Sequence, residues 1–242
     1  MELRSPARRC IRRAFGSFLL ATLLLGLAAC SPRPEPSAQG CSTSSSPCLS
    51  GTAVVSLETG KGKVMLELDG QSAPLTAGNF VDLVRKGVYD GTAFHRVVRD
   101  PVPFVVQGGD PLSANPKISP ERFGSGNFID PSSGEARFIP LELKLKSDQQ
   151  PTYGQVITSP LATEQLSMNH QRGAVAMARS GDPNSASAQF YIALEALPEL
   201  DGRYAVFGRV KQGMDVVDRI RQGDRIVKAR LVEGGTLVNG SP

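Results

Sequence analysis

The sequence predicts a mainly β fold in which short strands close into a barrel. The 242-residue chain contains 25 glycines and 18 prolines, which favour many turns over a bundle of helices. Only two helical segments stand out, and short apolar or alternating runs fill much of the remaining sequence. This pattern is typical of a closed β-barrel and not of a parallel α/β sheet.

The first 29 residues have the pattern of an export signal. Five arginines precede an uncharged stretch from Phe15 to Ala29, which is shorter than the roughly 20 residues that a membrane span needs. The stretch ends Leu27-Ala28-Ala29-Cys30 and resembles the bacterial lipobox, in which the cysteine is acylated and becomes the first mature residue. We therefore expect a signal peptide over 1–29 and lipidation of Cys30. The alternative is an ordinary cleaved signal with a chance cysteine.

The net charge of +4 arises in this leader. Its five arginines and one glutamate, subtracted from 27 basic and 23 acidic residues, leave 22 of each in the rest of the chain. A balanced charge does not support a nucleic-acid-binding surface, so we expect no nucleic-acid partner.

Residues 30–52 are rich in serine and proline and nearly uncharged, which predicts a flexible, lipid-anchored tether. Cys41 and Cys48 lie within it. In an exported protein they could form a disulfide, and two free thiols are the alternative. The four cysteines show no metal-ligand pattern, because there is no CxxC and no nearby histidine.

The folded part is predicted to begin at residue 53 with a hairpin and a helix. Ala53–Glu58 and Lys63–Leu68 flank a glycine-containing turn, and the second run alternates apolar and polar residues as a half-buried strand does. A helix is predicted over Pro74–Lys86, because proline suits the first turn, apolar residues form a stripe, and Gly87 follows the last turn.

Further strands and a second helix follow. The helix is predicted over Gly213–Gln222, with Gly223 as its stop. Residues 111–172 form a long irregular insertion with one further strand candidate at Phe138–Leu143. Apolar runs predict the remaining strands at Ala93–Val98, Phe104–Gln107, Gly173–Met177, Gln189–Ala193, Ala205–Val210 and Arg225–Leu231.

Few residues could carry nucleophilic or metal chemistry. The chain has two histidines, His95 and His170, and neither Thr92 nor Ser185 has the sequence context of a nucleophile elbow. No HExxH motif or carboxylate cluster points to a metal. We therefore expect an activity that needs no metal and no cofactor.

Three segments, in this order and spacing, resemble the cyclophilin family of peptidyl-prolyl cis-trans isomerases. They are Phe94–Val98 with Phe104–Asp110, then Gly173–Arg179 with Asn184 and Ala188–Ile192, and finally Leu200–Val210. The resemblance covers roughly residues 53 to 235, and the long loop after Asp110 is most similar to the longer cyanobacterial lipoprotein-like members. It implies an eight-stranded antiparallel barrel capped by two α-helices, and an isomerase domain over 53–242 with its insertion within 111–172.

The resemblance also implies a site. Arg96 would be the catalytic residue, with Gln107 and Gln189 as polar contacts, Ala178 and Arg179 as main-chain contacts, and Tyr204 at the rim. The apolar proline pocket would consist of Phe104, Val105, Tyr191 and Leu200. Strand periodicity places Arg96 and His95 on opposite faces, so we expect His95 to be a hydrogen-bonded structural residue and not a catalytic base.

Some positions depart from the common family pattern. Val105 replaces methionine, Tyr191 replaces phenylalanine and Arg179 replaces asparagine. Glu199 occupies a position that is tryptophan in the cyclosporin-sensitive members. We therefore expect cyclosporin-like ligands to bind weakly.

The implied function is rotation of Xaa-Pro bonds in exported proteins, which assists their folding. The protein would act on proline-containing polypeptides as a monomer. Its lipid anchor would hold it at a membrane, facing the periplasm or an equivalent extracytoplasmic space. The alternative is a non-catalytic peptide-binding or scaffold module with the same fold. The isomerase is favoured by the presence of Arg96, Phe104, Gln107 and Gln189. The departures at Val105 and Glu199 keep the alternative open.

Overall fold

The computed structural model describes residues 40, 41, 44 and 46–238. The expected signal peptide, the lipidation site at Cys30 and most of the expected tether lie outside the described residues. Within the described residues, no helix combines the length and the apolar character needed to span a bilayer.

The described chain is mainly β, as the sequence predicts. The strands are β1 Cys48–Thr59, β2 Gly62–Asp69, β3 Arg96–Val97, β4 Val105–Gly108, β5 Glu142–Leu143, β6 Thr152–Tyr153, β7 Ala174–Met177, β8 Phe190–Ala193, β9 Val206–Gln212 and β10 Ile226–Val238. The helices are α1 Pro74–Arg85, α2 Pro160–Thr163 and α3 Met214–Arg219, with short 3₁₀ helices at Pro111–Ala114, Pro120–Arg122 and Pro198–Leu200.

Eight strands form one antiparallel sheet in the order β10-β1-β2-β9-β7-β8-β4-β3, and β5 pairs separately with β6. The segments that lead into the two end strands also bond to each other. The Phe94 amide donates to the Asp224 carbonyl over 2.8 Å, and the Ile226 amide donates to the Thr92 carbonyl over 2.8 Å. Residues next to β3 and β10, the two ends of the sheet order, are therefore in direct contact.

The core lies between the sheet and α1. Phe80 of α1 contacts Tyr89, Phe190 and Phe207, with ring centroids 4.8 to 5.2 Å apart. All four rings are fully buried. The Tyr89 hydroxyl donates to the Ala188 carbonyl, so the one polar atom among these side chains has a partner.

Several predicted elements are shorter than the sequence pattern indicates, among them a strand and the second helix. The strand expected over Ala93–Val98 is reduced to β3, because the Ala93 amide donates to the Ser113 hydroxyl and not to a neighbouring strand. The second helix ends at Arg219 and not at Gln222. Arg99 donates to the carbonyls of Val217 and Ile220 there, which satisfies groups that a longer helix would have bonded internally.

The fold starts upstream of the predicted boundary at residue 53. β1 begins at Cys48, which is 1% exposed, and a disulfide joins Cys48 to Cys41. Gly78 of α1 permits this packing, since a Cβ there would lie 2.3 Å from the Pro47 carbonyl oxygen. Part of the segment expected to be a tether therefore belongs to the folded unit.

The insertion packs closely onto α1. The Glu142 carboxylate accepts hydrogen bonds from the backbone amides of Leu75 and Thr76 over 3.1 and 2.7 Å. It therefore caps the start of the helix from a distant part of the chain. The strand expected at Phe138–Leu143 is reduced to β5, because the amides of Ile139 and Leu141 donate to the carbonyls of Ala186 and Pro183.

Candidate active site

A cavity of about 210 Å³ opens where β3, β4 and β8 meet the 3₁₀ helix at Pro198–Leu200. Nine of the ten residues that the sequence predicts as catalytic or substrate-binding line it: Arg96, Phe104, Val105, Gln107, Ala178, Arg179, Tyr191, Leu200 and Tyr204. The tenth, Gln189, lines a neighbouring cavity of about 370 Å³ that shares Gln107, Ala178 and Arg179 with the first.

Arg96 stands at the rim of the smaller cavity. The pairing of β3 with β4 places it opposite Gln107, whose side-chain oxygen lies 3.5 Å from Nη1. Its guanidinium carbon lies 5.5 Å from the centre of the Phe104 ring. Because a guanidinium has five N–H donors and the contact with Gln107 engages one, Arg96 retains donors for a bound ligand.

Two glutamine side chains connect Arg96 to the insertion through hydrogen bonds. The Gln189 amide nitrogen donates to the carbonyls of Gly124 and Gly126 over 3.0 and 2.9 Å, and its oxygen accepts from Gln107 over 3.3 Å. This leaves the Gln107 oxygen facing Arg96. The Asp110 carboxylate accepts hydrogen bonds from the backbone amides of the same two glycines. The glycines are thus held in place, and they in turn fix the orientation of the Gln189 and Gln107 side-chain amides.

Apolar and aromatic side chains form the walls of the cavity. In the β4–β8 register, Gln107 lies opposite Tyr191, and Val105 and Tyr191 are 1% and 4% exposed. Tyr191 meets Tyr204 edge to face, with ring centroids 5.9 Å apart. Burial raises the pKa of the Tyr191 hydroxyl far above its ordinary value, so the hydroxyl stays neutral.

Arg179 braces the rim with its side chain. Its guanidinium donates to the Arg203 carbonyl from Nε and Nη2 over 2.9 and 2.7 Å, and it lies 4.8 Å from the centre of the Tyr204 ring. The amide of Ala178 donates to the Gln189 carbonyl. The side chain of Arg179 thus holds Tyr204, a feature that the expected main-chain contact did not include.

Glu199 does not line the cavity below Arg96. It lines a separate cavity of about 370 Å³ between the 3₁₀ helix and the insertion, together with Ile157 and Pro160. The Ile157 amide donates to the Gly202 carbonyl over 2.9 Å. The insertion therefore covers the outer side of the turn that carries Leu200.

The two histidines have different surroundings. Neither buried ring nitrogen of His95 has a partner at hydrogen-bonding geometry among the described residues. Burial is the main effect on this ring and lowers the pKa of His95, while the nearby Ala93 backbone and Gln189 side chain act in the opposite direction. The sequence indicates no role for His170, yet its Nε2 lies 2.8 Å from the Tyr191 hydroxyl. Nothing in the sequence pairs His170 with Tyr191, because they lie on different segments that meet only in the fold.

The fold and the site define a class: an antiparallel β protein with an arginine at the rim of a surface cavity with apolar walls. A family model described as cyclophilin type peptidyl-prolyl cis-trans isomerase/CLD matches residues 54–239. The chain belongs to this family.

Relatives and solved structures agree with that assignment. A putative thylakoid lumen peptidyl-prolyl cis-trans isomerase of Synechocystis sp. is 39% identical over 206 residues, which cover 81% of this chain and 51% of the relative. The chain thus spans about half the length of that relative. Peptidyl-prolyl cis-trans isomerase ppi1 of Schizosaccharomyces pombe is 35% identical over 168 residues, covering 69% of this chain and 84% of the relative.

Among solved structures, the cyclophilin AquaCyp293 from Hirschia baltica aligns with a TM-score of 0.51 at 28% identity, covering 76% of each chain. A Cryptosporidium parvum cyclophilin, solved in the presence of the dipeptide Ala-Pro, aligns with a TM-score of 0.53 at 22% identity. That alignment covers 75% of this chain and 99% of the other.

Proposed function

We propose that this protein is a peptidyl-prolyl cis-trans isomerase that rotates Xaa-Pro bonds and assists the folding of exported proteins. One observation carries the proposal: Arg96 stands beside a cavity of about 210 Å³ with apolar walls, and Gln107 contacts its guanidinium from the opposite strand. A proline ring in the cavity would place its own carbonyl within reach of the arginine.

The chemistry requires no covalent step. Rotation about an amide faces a barrier of about 18–20 kcal/mol, and uncatalysed exchange takes tens of seconds or more. Reaching about a millisecond requires about 10⁴-fold, or roughly 5.5 kcal/mol. A hydrogen bond to a charged group contributes about 1.5–3 kcal/mol. Arg96 therefore supplies part of the effect, and the cavity must supply the rest.

The apolar walls lower the free-energy difference between the planar ground state and the twisted transition state. A twisted amide is less polar than a planar one, so removal from water costs the planar ground state more. Arg96 would donate to the carbonyl of the proline and favour a pyramidal prolyl nitrogen. Phe104, Val105, Tyr191 and Leu200 would grip the ring while the preceding carbonyl turns.

The remaining residues would hold the peptide on either side of the proline. Gln107 and Gln189 would contact its backbone, and Ala178 and Arg179 would offer main-chain groups. Tyr204, held by Arg179, would close the rim. The proposal requires no metal and no cofactor.

Exchange spectroscopy by NMR on a short Ala-Pro peptide tests this proposal with the full chain. We expect substoichiometric protein to accelerate cis-trans exchange, and an excess of a non-prolyl peptide to leave the rate unchanged. The dipeptide present with the Cryptosporidium parvum cyclophilin supports this choice of probe. Binding of the peptide without acceleration would instead support the non-catalytic peptide-binding module.

We further propose that the eight strands close into a barrel. The hydrogen bonds between residues 91–94 and 223–226 support closure, because they link the segments leading into β3 and β10. Closure would remove the exposed edges that an open sheet leaves. It would also anchor β3, which carries Arg96, from both sides.

The protein is proposed to act as a monomer outside the cytoplasm. Residues 1–29 would be a signal peptide and Cys30 a lipid anchor at a membrane, with a tether leading to the isomerase domain. The names of two relatives support an extracytoplasmic location: one is a thylakoid lumen protein, and the Arabidopsis thaliana relative CYP38 is chloroplastic. The compartment would be the periplasm or an equivalent space.

Cys30→Ala is expected to abolish lipidation and to release the protein from membranes, because acylation requires the thiol. Mass spectrometry of the mature N-terminus and membrane fractionation measure the two effects. Cys10→Ala, a cysteine change before the apolar stretch, is the matched control and should leave both unchanged. An unacylated mature terminus at another residue of the wild-type protein would contradict the lipoprotein assignment.

Glu199→Trp is expected to strengthen binding of cyclosporin-like macrocycles about tenfold or more. An indole offers a large apolar face and one donor, whereas a carboxylate must lose water when an apolar macrocycle covers it. Titration of the macrocycle against isomerase activity measures the change, and Glu195→Trp, also at an exposed glutamate, is the control. Equal inhibition of wild type and Glu199→Trp would show that position 199 does not control this affinity.

A further inference from the structure

A buried chain of three polar side chains runs behind the proposed proline pocket. His170 is 1% exposed. Its Nδ1 lies 2.7 Å from Oδ1 of Asp201, and its Nε2 lies 2.8 Å from the hydroxyl of Tyr191. The His170 and Tyr191 rings are nearly parallel, at 13°, with centroids 5.9 Å apart.

The partners fix the tautomer of His170. An ionised carboxylate only accepts hydrogen bonds, so the proton of the neutral imidazole lies on Nδ1, facing Asp201. Nε2 then carries a lone pair and accepts a hydrogen bond from the Tyr191 hydroxyl. Asp201 is itself held in place, since it accepts the His170 amide over 2.8 Å and the Asn169 side chain over 3.1 Å.

These hydrogen bonds connect two walls of the cavity through His170, which does not itself line the cavity. Tyr191 and Leu200 are lining residues, and Asp201 directly follows Leu200. The His170 carbonyl also accepts the Leu197 amide over 2.8 Å. A phenylalanine at position 191 would need no polar partner, whereas a buried tyrosine hydroxyl does. The histidine supplies that partner.

We propose that His170 is a positioning residue for the proline pocket. Its Nε2 accepts a hydrogen bond from the Tyr191 hydroxyl and thereby fixes the ring that grips the substrate proline. The proposal rests on the proposed isomerase function. Its effect is on substrate binding, because His170 touches neither the substrate nor Arg96.

Burial keeps His170 in the form that the contact requires. It lowers the pKa of His170, while the carboxylates of Asp201 and Glu199 act in the opposite direction. The titratable groups in contact with the ring are Asp201 and Tyr191, and Glu199 acts on it through its charge. Protonation would turn Nε2 into a donor and remove the acceptor for the Tyr191 hydroxyl, so affinity should fall as the pH drops below the lowered pKa.

Two substitutions at His170 separate its two contacts. In His170→Asn the short amide can donate to Asp201 but does not reach Tyr191. In His170→Gln the longer amide places its oxygen near the position of Nε2, where it can accept the Tyr191 hydroxyl. We expect KM for an Ala-Pro peptide to rise about five- to tenfold in His170→Asn with kcat within about twofold. We expect KM to stay within about twofold of wild type in His170→Gln.

The Tyr191→Phe background shows whether the effect passes through the hydroxyl. There, His170→Asn should change KM by less than about twofold, because no hydroxyl remains to be held. A rise equal to that in the wild-type background would overturn the proposal, and so would identical KM values for His170→Asn, His170→Gln and wild type. Thermal unfolding of each variant identifies loss of fold.

The flip rate of the Tyr191 ring, measured by NMR line shape, decides the proposal independently of catalysis. The ring should flip slowly in wild type and His170→Gln and at least tenfold faster in His170→Asn. Equal flip rates in all three would overturn the positioning role even if the protein is an active isomerase. If the ring flips faster in His170→Asn but the wild-type protein shows no isomerase activity, the positioning role is upheld and the proposed function is refuted.

Discussion

Replacing Arg96 with alanine is expected to lower kcat/KM for an Ala-Pro peptide about hundredfold. The guanidinium is proposed to donate to the proline carbonyl as the prolyl nitrogen becomes pyramidal, and loss of one such donor typically costs about 10²–10³-fold in rate. The side chain is exposed and its one hydrogen bond among the described residues is the 3.5 Å contact with Gln107. The free energy of unfolding should therefore change by about 0.5 kcal/mol or less.

Two variants make this result specific. Arg209→Ala removes an arginine from β9 that is 73% exposed and pairs with Glu67, so it should leave the rate unchanged. Arg96→Lys keeps the charge but not the planar fork of donors, and it should retain an intermediate rate. Exchange spectroscopy measures all three. A wild-type rate in Arg96→Ala would refute the proposed mechanism.

The resemblance to the cyclophilin family implied which residues form this site, and strand periodicity agreed with it because strand geometry is local. In a strand, residues two apart share a face, so Gln189 and Tyr191 line the two neighbouring cavities, while Phe190 between them is fully buried on the other face. The family motifs, and not periodicity alone, identified the nine predicted residues that line the cavity. The register that brings them together is a property of the folded sheet.

The contacts that fix those residues could not be predicted, because they join distant parts of the chain. Gln189 donates to carbonyls 63 and 65 residues away, and no periodic pattern encodes such a pair. Asp201 and His170 are 31 residues apart. Residues 111–172 have an irregular sequence pattern because their backbone groups bond mainly in short turns and not within a repeating ladder, and a few, such as the Ile139 amide, bond to distant segments.

One arginine of the insertion makes several polar contacts with α1. Arg137 donates to Asp82 over 2.6 Å and to Asn79 over 3.3 Å from Nη1, and to Asp130 over 3.0 Å from Nη2. Asp82 is 8% exposed and Asn79 is fully buried. Arg137 also lies 4.6 Å from the centre of the Phe128 ring. This guanidinium thus joins two residues of the helix to two residues of the insertion, in addition to the cap formed by Glu142.

Arg137→Met is expected to lower the free energy of unfolding by about 3 kcal/mol, near the lower end for breaking a buried ion pair. The cost arises because the Asp82 carboxylate loses its more buried partner, Arg137, while the more exposed Lys86 still contacts it. For a protein of this size the melting temperature should fall by about 6–12 °C. Calorimetry or denaturant unfolding of the full chain measures the change.

The matched control is Arg219→Met, which breaks an exposed pair with Asp215 four residues earlier in the chain. Such pairs contribute about 0.3–0.5 kcal/mol, so this variant should unfold close to wild type. Adding Asp82→Leu to Arg137→Met removes the carboxylate that has lost its arginine partner and should recover part of the loss, because the two sites are coupled. If Arg137→Met were no less stable than Arg219→Met, the insertion would be held to α1 by its apolar contacts and by Glu142, and the ion pair would contribute nothing.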